Sequence, residues 1–252
     1  MHWLIRDWLT AIHRSIRHTF RNVDSLITGL MLPIAILILF VVVFGGAVET
    51  GTNYVNYIVP GVIMVCIGYG SSTTAMIINR DMVGGLFNRF RTLPMARSSI
   101  LIGHIIGSLT RNLISTVLVF AVAFAIGFRP NADALEWLAV AGLLALTILA
   151  FSWLSLIFGL IAKSVDAAGA IPFVVMFLPY ISSAFVPLET LPSWLAGFAQ
   201  HQPFTPIIET LRGLLIGTPI HDKALLAIAW SGGIMLISAA IALAVLKRKG
   251  QR

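Results

Sequence analysis

Long apolar stretches alternate with short polar segments along the chain. A helix needs roughly 20 apolar residues to cross the hydrocarbon core of a bilayer. The six stretches that meet this length are residues 26–44, 57–78, 100–128, 135–161, 168–186 and 225–246. The pattern therefore predicts an all-α membrane protein with six transmembrane helices. No repeat or soluble domain interrupts it, so residues 1–252 form one predicted membrane domain.

The first segment, residues 1–25, has a different pattern. Arginines are distributed around a regular apolar stripe, which is typical of a helix lying in the headgroup plane. A soluble amphipathic helix packed on a partner fits the same pattern. The stripe consists of Leu4, Trp8, Ile12, Ile16 and Phe20.

The polar segment 79–99 lies between the second and third stretches. Apolar side chains in it recur on one face of a short helix, Asn88, Arg89 and Arg91 take the other face, and Pro94 ends the helix. A helix this short needs something to pack against, so we interpret it as a docking element. An ordinary solvated loop is the alternative. The apolar face consists of Leu86, Phe87, Phe90 and Leu93.

Lysine and arginine placement predicts the orientation, because cytoplasmic loops carry an excess of both residues. With the N-terminus inside, the outside segments hold only Arg129, Arg212 and Lys223. Both termini are therefore predicted to be cytoplasmic. The inside segments hold Arg6, Arg14, Arg17, Arg21, Arg80, Arg89, Arg91, Arg97, Lys163, Lys247, Arg248, Lys249 and Arg252.

The outer segment 187–223 is predicted to form a re-entrant hairpin of two short helices. Thr190 or Ser193 caps the first helix, and the second runs from Pro206 to about Leu215 and ends at Gly217. Glu209 and Arg212 are expected to pair along the second helix. A surface cap without a gating role is the alternative. The candidate residues of an external gate are Trp194, Phe204, Glu209 and Arg212.

Composition agrees with a membrane protein, since 58% of residues are hydrophobic and 11% charged, against about 25% charged in ordinary globular chains. The net charge of +7 comes from short basic clusters between apolar stretches, which argues against nucleic-acid binding. The single cysteine, Cys66, provides neither a disulfide nor a metal site.

Catalytic chemistry is not expected on this chain. All ten acidic residues fall in loops or at interfaces, so the usual proton or sodium relay is missing. The sequence has no GxxxxGK[ST] phosphate loop and no HExxH zinc motif. We therefore expect no catalytic, cofactor or metal residue.

Residues lining a transport pathway can be proposed only as candidates. Small and hydroxyl residues between Gly68 and Thr74 favour close helix packing or a polar wall. Arg111 can line a pathway or extend to the inner interface. Each candidate also suits ordinary packing. The candidates are Ser71, Thr74, Met76, Arg111, Phe173, Met176 and Tyr180.

Two motifs resemble those of the ABC-2 type permeases, in particular the branch of daunorubicin-resistance and nodulation-factor exporters. They are GLFNRFRTLPMAR at residues 85–97 and QPFTPIIETLRGLL at residues 202–215. With six stretches and the outer hairpin, the likeness covers nearly the whole chain. Gly84, Asn88 and Gln202 depart from the family's common residues.

The resemblance implies that the segment around residues 86–97 docks on an ATP-binding subunit. Two copies of that subunit carry ATP and Mg, and two permease chains pair in a bacterial inner membrane. The expected substrate is an amphiphilic drug-like or lipid-linked molecule moved outward. The implied coupling residues are Leu86, Phe87, Arg89, Phe90, Arg91, Leu93, Pro94 and Arg97.

Other functions fit the same stretches. A polysaccharide or teichoic-acid permease would need a wide channel with aromatic rings, whereas the aromatic residues here are scattered. A non-transporting immunity or sensor subunit would use the same spans. A channel or secondary carrier is disfavoured by the missing buried acids.

Overall fold

The computed structural model describes residues 23–48, 52–84 and 97–249. In these ranges the chain is helical and has no β-strand, which confirms the predicted all-α class for this part. Two 3₁₀ helices, Leu178–Ile181 and Leu188–Thr190, join the α-helices. The α-helices are α1 (Val23–Phe44), α2 (Tyr54–Val83), α3 (Arg97–Ala125), α4 (Ala134–Ile161), α5 (Val165–Val175), α6 (Ser193–His201), α7 (Phe204–Ile216) and α8 (Lys223–Lys249).

Four of these helices, α2, α3, α4 and α8, are long and apolar enough to cross a membrane. Two shorter apolar helices cover Gly29–Phe44 and Val165–Ile181, which overlap the first and fifth predicted stretches. The helices support a multi-pass membrane protein, while the number of six crossings stays a prediction. The predicted interfacial helix at residues 1–25 lies almost entirely outside the described residues.

Helix α2 is the centre of the bundle. It packs against α1, α3, α4, α5 and α7, and most of its residues are buried. Close approach depends on its small residues: a Cβ on Gly61 would lie 2.6 Å from Ala184 Cβ, and one on Gly68 would lie 3.0 Å from Met176 Cα. The small residues of the second stretch therefore serve close helix packing, as the sequence favoured.

The C-terminal end of α2 is joined to the C-terminus of α4 by Asn79. Its buried side-chain amide donates to Gly159 O at 3.1 Å and to Ala162 O at 2.8 Å. The last carbonyls of a helix have no partner within the helix. Asn79 supplies donors to two of these groups and so connects the two helices.

The fifth predicted stretch, 168–186, is not one continuous α-helix. Helix α5 ends at Val175, and the chain continues through the 3₁₀ helix that contains Pro179. Proline has no backbone N–H and disfavours helical geometry in the residue before it. Pro179 therefore disfavours continuation of the α-helix in the stretch that its hydrophobicity predicted to be a single span, whereas Pro172 lies inside α5.

The two short helices predicted in the outer segment are confirmed as α6 and α7. The end of α7 is also confirmed, because Gly217 caps it with a left-handed φ of 78°. The predicted caps of α6 are wrong: Pro192 is its N-cap residue, and the Thr190 hydroxyl donates to Pro187 O instead. The tight turn at Leu188–Thr190 directs that hydroxyl away from α6.

Candidate functional site

A cluster of hydroxyl groups joins α2, α3 and α4 within the apolar bundle. Ser108 Oγ lies 2.8 Å from Thr74 Oγ1 and 2.7 Å from Ser152 Oγ. Thr74 Oγ1 also lies 2.7 Å from Gly70 O, to which it can donate, and either hydroxyl can be the donor between Thr74 and Ser108. Each of the three helices thus contributes one hydroxyl to a hydrogen-bonded chain.

Arg111 and Asn112 extend this chain towards α1. Arg111 Nη2 donates to Thr74 Oγ1 at 2.7 Å, and Asn112 Nδ2 donates to Ser108 O at 2.9 Å. Asn112 fits because residue 70 is glycine: a Cβ there would lie 1.9 Å from Asn112 Oδ1. We call Thr74, Ser108, Arg111, Asn112 and Ser152 the polar cluster.

A cleft borders the polar cluster between α1, α2 and α3. It encloses about 280 Å³ including its open side, and has room inside for about one water molecule. Two atoms of the lining residues, Arg111 Nε and Asn112 Oδ1, are buried without a hydrogen-bond partner. No ion pair to Arg111 is formed among the described residues. The lining residues are Gly29, Cys66, Tyr69, Gly70, Thr73, Arg111, Asn112 and Ser115.

Of the seven candidate pathway residues, Arg111 lines this cleft, and it is hydrogen-bonded to a second candidate, Thr74. Ser71 and Met176 are buried, and Met176 packs against Gly68 of α2. Met76 is half-buried beside Gly169 of α5. These residues contribute to helix packing rather than to the cleft.

The remaining pathway candidates lie elsewhere. Phe173 is exposed, with its ring edge-on to Phe177 at a centroid distance of 5.5 Å. Tyr180 stacks on Phe185 at 4.9 Å. The seven candidates therefore do not form one site in this conformation.

Arg212 of α7 joins three segments near the N-terminal end of α2. It is buried, and its Nε and Nη2 donate to Tyr57 O at 3.2 and 3.1 Å. Nη2 also donates to Ser183 O at 2.6 Å. Burial lowers the pKa of Arg212, while the Tyr57 and Glu209 side chains raise it.

The expected pair between Glu209 and Arg212 is wrong. Glu209 Oε2 instead lies 3.1 Å from Lys223 Nζ, in an ion pair between α7 and the start of α8. The two residues lie three positions apart on α7, but the Arg212 side chain is directed into the bundle, where backbone carbonyls of Tyr57 and Ser183 accept its hydrogen bonds.

The other candidate gate residues are separated. Phe204 is buried and stacks on Phe151 of α4 at a centroid distance of 5.2 Å. Trp194, on α6, is 77% exposed. Of the four candidates, only Arg212 contacts both α2 and the segment after α5.

Sequence reasoning missed Ser108, Asn112 and Ser152, which complete the polar cluster. A signal was present on α3: polar side chains recur at positions 108, 111, 112, 115 and 116, the spacing of one helical face. A polar stripe on a membrane-length helix predicts contact with other polar groups rather than with lipid.

The predicted coupling residues Leu86, Phe87, Arg89, Phe90, Arg91, Leu93 and Pro94 lie outside the described residues, and Arg97 begins α3. On either side of that segment, Asp81 Oδ2 of α2 lies 3.4 Å from His104 Nε2 of α3. The two helices that flank the segment are thus in direct contact near its ends.

Known relatives are similar along most of the chain. The daunorubicin resistance ABC transporter permease protein DrrB1 of Streptomyces coeruleorubidus is 26% identical, over 95% of this chain and 88% of its own. The probable doxorubicin resistance permease protein DrrC of Mycobacterium tuberculosis is 26% identical, over 93% of this chain and 86% of its own. The inner membrane transport permease YadH of Escherichia coli is 27% identical, over 86% and 84%.

The family profile described as ABC-2 type transporter matches residues 6–216. The match includes both motifs on which the resemblance rested, and extends from the first basic segment to the end of α7. This chain belongs to the ABC-2 type transporter family.

Proposed function

We propose that this chain is the membrane subunit of an ATP-driven exporter that moves an amphiphilic drug-like or lipid-linked molecule outward. The observation that carries the proposal is the family match over residues 6–216, which includes the polar segment 79–99. The chain has no phosphate loop, so ATP and Mg bind to a separate subunit. The permease itself has no catalytic residue.

The proposed topology has six crossings in a bacterial inner membrane, with both termini in the cytoplasm. Arg80 and Lys163 then lie on the inner side, and Arg129 and Lys223 on the outer side, in accordance with the positive-inside rule. Helix α1 makes the first crossing, and α5 with the following 3₁₀ helix makes the fifth.

Coupling to the ATP-binding subunit is assigned to the segment between α2 and α3. Its apolar face docks on that subunit, and two copies of the subunit serve a pair of permease chains. Contact between Asp81 and His104 supports a shared movement of α2 and α3. Because α2 packs against five other helices, a displacement of its inner end reaches the whole bundle.

Co-purification tests the coupling assignment. Leu86→Asp and Phe90→Asp put a charge on the apolar face, and each is expected to abolish co-purification with the ATP-binding subunit and ATP-dependent transport. Asn88→Asp adds the same charge on the opposite face and serves as the matched control. Unchanged binding and transport in Leu86→Asp and Phe90→Asp would refute the coupling role.

The direction and cargo are tested in reconstituted vesicles. Substrate-stimulated ATP hydrolysis with movement in one direction supports export, and the drug-resistance names of the relatives make an amphiphilic drug the first substrate to test. Binding without turnover would point to a sequestering subunit, and flux driven by an ion gradient without ATP would point to a carrier.

A further inference from the structure

We propose that the cleft between α1, α2 and α3 binds the anionic head group of an amphiphile through Arg111. The inference rests on the proposed export function, and it specifies the charge of the substrate. Three features of the cleft support it: an uncompensated positive charge, unpaired polar atoms and an open side.

The first feature is the charge of Arg111. A guanidinium inside an apolar bundle is costly unless an anion or several acceptors compensate it. Arg111 donates a hydrogen bond to the neutral hydroxyl of Thr74, at 2.7 Å. By comparison, two backbone carbonyls accept hydrogen bonds from Arg212, and the Arg212 guanidinium lies over the Tyr57 ring. Arg111 therefore retains an unmet requirement for a negative group.

The second feature is the set of unpaired atoms. Arg111 Nε is a buried donor without an acceptor, and Asn112 Oδ1 is a buried acceptor without a donor. Buried polar groups in proteins are almost always hydrogen-bonded. An oxyanion bound against Arg111 in the cleft would supply this guanidinium with the charged acceptor that it lacks.

The third feature is the shape of the cleft. Its space inside corresponds to about one water molecule, which is the size of a single phosphate oxygen. One oxygen of a head group can enter and reach Arg111, while the rest of the group stays at the open side. The alkyl chain then remains in the bilayer, beside the exposed apolar residues of α1 such as Met31.

The polar cluster positions Arg111 for this contact. Thr74 is held by Gly70 O and by Ser108, and its Oγ1 accepts a hydrogen bond from Arg111 Nη2. This contact anchors the planar guanidinium at one nitrogen, while Nε has no acceptor. The positive charge of Arg111 would repel a cationic amphiphile.

Binding to the purified full chain in a maltoside detergent tests the proposal without the ATP-binding subunit. Dodecyl phosphate is the probe, dodecyltrimethylammonium is the cationic counterpart, and inorganic phosphate tests the free anion. We expect the parent to bind dodecyl phosphate in preference to both. Arg111→Gln should weaken that binding about tenfold or more, since hydrogen bonds to charged groups contribute at this level.

Three variants separate the explanations. Arg111→Lys keeps the positive charge but lacks the planar guanidinium. Its affinity for dodecyl phosphate should lie between those of the parent and of Arg111→Gln. Asn112→Asp preserves shape but adds a carboxylate beside Arg111, and should abolish dodecyl phosphate binding. Arg129→Gln removes a positive charge at the outer surface, where it bonds to the carbonyls of Phe124 and Phe128, and should bind like the parent.

Several results would overturn the proposal. Equal binding of the cationic amphiphile, equal binding of inorganic phosphate alone, or unchanged binding in both Arg111→Gln and Asn112→Asp would each do so. Phe90→Asp should retain dodecyl phosphate binding while losing the ATP-binding subunit. Failure of the coupling assignment can therefore be told apart from failure of the anion site.

Discussion

The guanidinium carbon of Arg212 lies 3.7 Å from the centre of the Tyr57 ring, while Nε and Nη2 of the same side chain donate to Tyr57 O. One side chain of α7 thus contacts both the ring and the backbone of Tyr57 near the N-terminal end of α2. Through Ser183 it also holds the segment after α5. This contact couples α7 to the central helix.

Removing Arg212 should destabilise the bundle. Arg212→Met leaves the carbonyls of Tyr57 and Ser183 without this donor, which is expected to lower stability by at least about 2 kcal/mol. Arg212→Lys should lose less, because a lysine retains the charge but not the planar fork. Thermal unfolding in detergent measures both variants.

The exposed Gln200 on neighbouring α6 supplies the control. Gln200→Ala is expected to change stability by no more than about 0.5 kcal/mol. An Arg212→Met variant that unfolds at the same temperature as the parent would contradict the joining role of Arg212.

Two glycines of α4 should respond in opposite ways to alanine. A Cβ on Gly159 would lie 2.8 Å from Ala75 O and 2.8 Å from Ile78 Cβ, so Gly159→Ala must push α2 away and should cost about 1–3 kcal/mol. Gly142 has no atom within 4 Å of such a Cβ, and Gly142→Ala should be neutral or stabilise by up to about 1 kcal/mol. Thermal unfolding measures the stability of the two variants. Equal changes in stability would argue against the close contact of α2 and α4.

The ion pair between Glu209 and Lys223 should be weak. Both side chains are partly exposed, at 22% and 27%, and such pairs contribute about 0.2–1 kcal/mol. A double-mutant cycle with Glu209→Gln and Lys223→Gln should give a coupling in this range, and added salt should reduce it. A coupling of zero at low salt would contradict the predicted contribution of this pair.

Topology can be read from single cysteines. In a Cys66→Ala background, Gln200→Cys on α6 should react with a membrane-impermeant maleimide in intact cells. Lys163→Cys and Lys247→Cys, both exposed at the proposed inner side, should react only after permeabilisation. The reverse labelling pattern would overturn the assigned orientation and the coupling role of segment 79–99 with it.

Local features of the sequence were sufficient for several elements. The apolar stretches predicted where α2, α3, α4 and α8 lie, because an apolar run long enough to cross a membrane can be recognised from consecutive residues. The end of α7 at Gly217 followed from the need for a left-handed residue at a helix C-terminus. The fifth stretch was harder to predict, since its average hydrophobicity did not show that the α-helix ends at Val175, before Pro179.

Side-chain partners were predicted less well. Glu209 and Arg212 are suitably spaced along α7, yet each finds a better partner on another segment. The partner of a side chain depends on which helix lies next to it and on the position of that helix along the bundle axis. That information is not contained in the spacing along a single helix.

The sequence by itself determined the class of this protein: its apolar helices, its basic segments and its family motifs are written in consecutive residues. Tertiary structure decided that Thr74, Ser108 and Ser152 share one chain of hydrogen bonds, and that Arg111 faces a cleft while Arg212 is held by carbonyls. The physical reason is range: hydrophobicity acts on each segment separately, whereas a hydrogen bond between helices forms only when packing brings two particular atoms within about 3 Å.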